Sequence, residues 1–107
     1  MNTSTTATAT SIKVFTHQDV PNSDALVAQA SELAASHGLG IELIAVDADV
    51  SQAMAVGVMG LPAIIIFGGN TEISRRECAF AGRRTSRWFK RQVASTSIGS
   101  TLIPAIA

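Results

Sequence analysis

The stretch "LPAIIIFGGN" (61–70) limits the possible fold more than any other. Its apolar, β-branched residues read as a short buried strand, and Gly-Gly-Asn supplies the turn that ends it. The apolar run from Leu61 to Phe67 falls far short of the roughly 20 residues that a membrane helix needs. A strand of this kind needs covering elements, so the rest of the chain is read for what can cover it.

Upstream, "IKVFT" (12–16) suits a short buried strand, and "THQDVPNS" is a loop. From about Pro21, "PNSDALVAQASELAASHG" reads as a helix with Asp24 and Glu32 in its front half. Gly38 follows as a C-cap, and Leu26, Ala30, Leu33 and Ala34 share one face. "GIELIAVDAD" (40–49) reads as a second strand. Apolar residues on both of its faces suggest a strand covered on both sides. "VSQAMAVGV" is a short helix with Ser51 as its expected N-cap. Downstream of the Gly-Gly-Asn turn, "EISRRECAFAG" reads as a returning antiparallel strand. "TSRWFKRQVA" reads as a last helix capped by Thr85 or Ser86, with Trp88, Phe89 and Val93 inward.

The order is β-α-β-α-β-β-α over residues 12–94. This is an α/β class with a mixed four-stranded sheet and helices on both faces. Crossovers of this length are right-handed and join parallel neighbours, with an antiparallel edge added by the last strand. Residues 1–11 read as a disordered tail and 95–107 as a second tail, in which Ile98, Leu102, Ile103 and Ile106 allow docking.

Composition closes several options. One domain is expected for 107 residues, and 47% hydrophobic with 15% charged residues argues against wholesale disorder. Cys78 is the only cysteine, so no disulfide can form within the chain. The start "MNTSTTATATS" has neither the basic nor the apolar region of a signal peptide, which points to a cytoplasmic location without membrane association. The formal net charge is zero but divided. Residues 1–70 set Lys13 against Asp19, Asp24, Glu32, Glu42, Asp47 and Asp49, a net −5; residues 71–107 set seven cations against Glu72 and Glu77, a net +5.

Element order and two stretches together resemble the thioredoxin/glutaredoxin-like superfamily, above all its small thioredoxin type. "VGVMGLPAIIIFGG" (56–69) resembles the family's hydrophobic residue, proline, buried strand and glycine turn. The likeness implies a cis bond at Pro62, facing the active-site loop. The second stretch, "VFT" with its four-residue turn and helix, resembles the family's strand, Cys-x-x-Cys loop and helix. Val20 and Ser23 stand at the two cysteine positions. Dithiol exchange needs a thiolate and a second sulfur, so neither position supplies a catalytic residue. "VPNSDAL" (20–26) also resembles, through Pro21-Asn22-Ser23 and Ala25-Leu26, the loop and helix start of the KaiB family. KaiB proteins lack the cysteine pair and dock partner proteins.

Other constellations have plainer readings. Ser23, His17 and Asp19 lie near one loop, but no oxyanion site accompanies them and a helix start explains the serine. Cys78, His17 and His37 lack any paired spacing for a metal. Cys78 shares a strand face with Phe80 and reads as a small buried hydrophobe, with a lone reactive thiol as the rival. Arg83, Arg84, Arg87, Lys90 and Arg91 form a basic patch. Overall neutrality argues against nucleic acid there and favours a solvated face partly neutralised by the acidic half.

The sequence reading is thus a thioredoxin-like domain without its redox pair, acting without a cofactor as a protein-binding or adaptor module. Its expected surface is Val20, Pro21, Asn22 and Ser23 with Leu61 and Pro62. The competing reading is a thiol–disulfide oxidoreductase relative, working through Cys78 or altered from a cysteine-bearing form.

Overall fold

The computed structural model describes the backbone of residues 8–106 and the side chains of residues 8–94. The elements follow the expected order: β1 (Ser11–Thr16), α1 (Ser23–His37), β2 (Gly40–Ala45), α2 (Val50–Ala55), β3 (Ala63–Gly68), β4 (Thr71–Arg76) and α3 (Arg83–Ile106). They build a four-stranded sheet in the order β2-β1-β3-β4, in which β1 and β2 are parallel and the other pairs antiparallel. β3 therefore runs against β1, where the sequence suggested parallel neighbours.

The apolar run at Ala63–Phe67 occupies a central place, and every one of these residues is buried. Strand alternation divides its side chains between two layers. Ile64 and Ile66 join Ile12 and Val14 beneath α1 and α3, against Leu26, Ala30, Leu33, Phe89 and Val93. Ile65 and Phe67 join Phe15 and Ile44 on the opposite face, beneath Ala53 of α2. Helices thus cover both faces.

Several boundaries differ from the sequence reading. β2 is an edge strand, and only Ile44 on it is buried; Leu43 is 53% exposed. Its apolar residues marked a strand without marking its place in the sheet. The fold begins before residue 12, because Thr10 N–H donates to the Phe67 carbonyl and Ala9 joins the core. The expected tail at residues 1–7 lies outside the described residues. α3 continues as helical backbone through residues 95–106, the stretch read as a second tail, and the side chains proposed to dock from it are also outside the described set. α1 starts at Ser23, so Pro21 precedes it, and it ends at Gly38 in the left-handed region (φ 68°), whose N–H reaches the Ala34 and Ala35 carbonyls. A side chain disfavours that conformation, which is why glycine suits the position. Asp49, not Ser51, holds the N-cap position of α2, and the Ser51 hydroxyl donates to Asp49 Oδ1 at 2.6 Å. Thr85 lies within the first turn of α3, fully buried, and its Oγ1 donates to the Phe80 carbonyl at 2.7 Å. Among the described residues, no helix is long and apolar enough to cross a membrane.

Candidate functional site

The loop from β1 into α1 is held mainly by its own main chain. Val20 N–H donates to the His17 carbonyl at 2.9 Å, and Ser23 Oγ donates to the Val20 carbonyl at 3.0 Å. Asn22 sits in the left-handed region (φ 68°), which asparagine tolerates better than most residues, and its carbonyl accepts the first helical bond, from Leu26 N–H. His17 Nδ1 accepts from Asp19 N–H at 3.0 Å, while Ser23 Oγ bonds only to main-chain carbonyls. No hydrogen bond joins this serine to the imidazole, so the three residues form no nucleophile–base pair.

Val20, Pro21, Asn22 and Ser23 line an open hollow of about 430 Å³, together with Thr16, His17, Gln18, Asp24, Ala45 and Asp47. The hollow extends toward the end of β2. Leu61 and Pro62 do not line it.

The Leu61–Pro62 peptide bond is cis. Pro62 is fully buried, and its carbonyl accepts Ala79 N–H at 2.8 Å. Ala63 is buried and paired with Phe15 in the sheet. The main chain after the proline is therefore already used. Leu61 is half-buried, and its own N–H and C=O have no hydrogen-bond partner among the described residues.

The segment leading to Leu61 is stapled by a charge cluster that the sequence reading missed. Glu77 accepts from Met59 N–H at 3.3 Å and Gly60 N–H at 3.1 Å. Arg75 donates to Glu77 at 2.9 Å, to both carboxylate oxygens of Glu72 at 2.7 Å, and to the Val56 and Gly57 carbonyls. The Arg75 guanidinium, as a hydrogen-bond donor, holds both carboxyls below the ordinary glutamate value, and the two carboxylates push Arg75 upward in turn. The sequence signal was present: alternation along β4 puts Arg75 on the α2 side, opposite Ile65.

Cys78 departs from expectation. β4 ends at Arg76, so Cys78 and Phe80 lie in the loop beyond it, and both are exposed. Cys78 adopts φ 52°, and its Sγ lies 2.6 Å from where a Cβ on Gly60 would stand. The thiol thus lies beside the segment that leads into Leu61 and Pro62, and any side chain at position 60 would collide with it. Among the described residues, no group of three His, Cys, Asp or Glu side chains is placed to hold a metal ion.

The basic residues of α3 share a surface with one more cation, Arg76 of β4, which the sequence reading left out of the patch. Register places Arg76 opposite Ile64, on the α3 side of the sheet. Arg76, Arg84, Arg87, Trp88 and Arg91 line one hollow; Arg83, Arg87, Lys90 and Arg91 line another. Trp88 is half-buried against the core and makes an edge contact with Phe89. None of the six cations forms an ion pair among the described residues.

No protein-family model and no curated protein matches the sequence. Solved structures do match. Thioredoxin 1 from Thermosipho africanus superposes with a TM-score of 0.73 at 21% identity, over 85% of this chain and 99% of its own. Fasciola hepatica thioredoxin gives 0.67 at 14% identity, covering 80% and 82% of the two chains. Thioredoxin O2 from Arabidopsis thaliana, in its oxidized state, gives 0.67 at 12%, covering 79% and 75%. At these identities the likeness establishes the fold, and the fold is thioredoxin-like.

Proposed function

We propose that this thioredoxin-like domain is a non-catalytic protein-binding module that takes an extended segment of a partner. The observation that carries the reading is Leu61. Its main-chain donor and acceptor have no partner among the described residues, just ahead of a strand whose first residue, Ala63, is already paired with Phe15. An extended chain satisfies such groups through main-chain hydrogen bonds, with pockets reading alternate side chains. The hollow at Val20–Ser23 offers one such pocket, with Val20 supplying apolar contact. The absence of a cysteine pair at 20 and 23 and the loop's resemblance to partner-docking KaiB proteins support the same reading.

The test is selection from a displayed random peptide library, followed by binding of the selected peptides to two variants. Asn22→Arg is a poor probe, because a left-handed backbone penalises the new side chain independently of any partner. Val20→Arg places a bulky charge in the pocket, and Leu43→Arg places one on the exposed β2 face as a control. Peptides that bind wild type and the control but not Val20→Arg support the module. Binding that survives Val20→Arg, or no selected peptide at all, removes it.

One observation favours a second reading, a lone-thiol exchange protein. Cys78 is exposed and adjoins Gly60, two residues before the cis proline. Its thiolate attacks a disulfide R–S–S–R, forming Cys78–S–S–R and releasing RS⁻, with no change in total disulfide count. Oxidised glutathione is the probe. A mixed disulfide formed within minutes near neutral pH and absent in Cys78→Ser supports this reading; an inert thiol leaves the binding module as the sole reading.

A further inference from the structure

The six cations Arg76, Arg83, Arg84, Arg87, Lys90 and Arg91 make one continuous surface. Arg76 and Arg84 line two adjoining hollows of about 300 and 320 Å³, and Arg87 and Arg91 connect the second to a third of about 520 Å³. The two carboxylates of β4 and the residue after it, Glu72 and Glu77, are both held by Arg75, and no carboxylate is among the residues that line the three hollows. Arg76 Nε is buried with no acceptor among the described residues, so no carboxylate of the chain neutralises this guanidinium through that atom. Two aromatic rings stand among the cations. Phe80 is 57% exposed beside Arg76, Arg83 and Arg84, and Trp88 lies between Arg84, Arg87 and Arg91.

We propose that this face binds single-stranded nucleic acid. Five of the six cations are arginines, whose planar forks match phosphate oxygens. Carboxylates fit the same forks, so charge alone does not choose between nucleic acid and an acidic protein. The aromatic rings do. Alternating guanidinium and ring surfaces suit a strand whose phosphates are neutralised while an unstacked base lies on the exposed Phe80 ring, with Trp88 lining the adjoining hollow. A duplex keeps its bases stacked inside and cannot use the rings in this way. Overall neutrality does not cancel the site, because exposed charges more than about 8 Å away are largely screened at physiological salt.

The probe is fluorescein-labelled oligo(dT), followed by anisotropy as salt rises from about 50 to 200 mM. With four phosphates engaged, the log–log salt slope is about −3. Arg87→Glu/Arg91→Glu weakens binding at least about tenfold and makes the slope shallower by about 1.4. Phe80→Ala weakens it about tenfold while leaving the slope unchanged, which separates stacking from charge. Circular dichroism confirms that each variant is folded, and the exposed Phe80 keeps the test available if the double variant is not. Val20→Arg, which does not touch this face, leaves oligo(dT) binding intact whatever becomes of the peptide site. No binding at about 50 mM salt, an unchanged affinity in the double variant, or preference for polyglutamate or duplex DNA over oligo(dT) overturns the proposal.

Discussion

Arg75 shows how one side chain fixes a segment distant in sequence. Its guanidinium joins the end of α2, through the Val56 and Gly57 carbonyls, to Glu72 and Glu77, and Glu77 holds Met59 and Gly60. Charge-assisted bonds of this kind contribute more than neutral ones, but partial exposure returns some of that to water. Arg75→Met is expected to lower stability by about 1–3 kcal/mol, read as a shift in the urea midpoint. The pH dependence has a definite sign. Both glutamates have folded pKa values below the ordinary 4.5, so their contribution is present above that value and is lost as pH falls through the depressed folded values. Wild-type stability therefore declines through this acid range, and Arg75→Met flattens that decline. An equally steep decline in the variant would show that other carboxylates carry the acid sensitivity. The cluster was only half legible in the sequence. Alternation puts Arg75 and Glu77 on one face, but Glu72, three residues from Arg75, joins them only through the register shift within β4, a strand that stops at Arg76. The same early stop brings Cys78 out of the expected strand and into an exposed loop.

Among the elements, the central strand and α1 were the most readable. An unbroken apolar run is unambiguous where both faces are covered, and the spacing of Leu26, Ala30, Leu33 and Ala34 matches their observed burial. β2 was harder, since Ile41 and Leu43 lie beside Ile12 and Val14 yet remain 38% and 53% exposed at the sheet edge. Hydropathy reports what a strand contains, whereas its exposure depends on strand order. α3 poses a different problem, because its composition opposes its own stability. Arg83 and Arg84 occupy the first turn, where the helix dipole disfavours cations. Arg87 stands three or four residues from Arg83, Arg84, Lys90 and Arg91, and each such like-charge pair costs about 0.2–0.5 kcal/mol. Arg87→Glu should therefore raise stability by about 0.5–1 kcal/mol at low salt, with the gain shrinking as salt is added. Thermal melts at two ionic strengths measure it. A destabilised variant would mean that Arg87 has a structural partner and is not held on the helix at the expense of stability.

At the scale of the molecule, the sheet separates two unequal layers. The α1/α3 side buries twelve residues in its cluster among the described residues, including Phe89 and four residues of α1. The α2 side buries six, and α2 itself contributes only Ala53. A six-residue helix has little intrinsic stability and depends on packing. Met54, on the same helix, is 72% exposed, so little of α2 is anchored by apolar burial. Its C-terminal end is held by Arg75 instead, which makes a charge cluster do part of what core packing does on the other face. Local opening follows the least buried unit. Native-state hydrogen exchange should therefore find amides of residues 50–55 opening at a free energy well below the global value, while those of β1 and β3 exchange only with global unfolding. Arg75→Met should lower the α2 opening free energy by more than it lowers that of α1. Equal protection of α1 and α2, unchanged in relative terms by Arg75→Met, would mean that the two layers open as one unit and that the Arg75 cluster is not what retains α2.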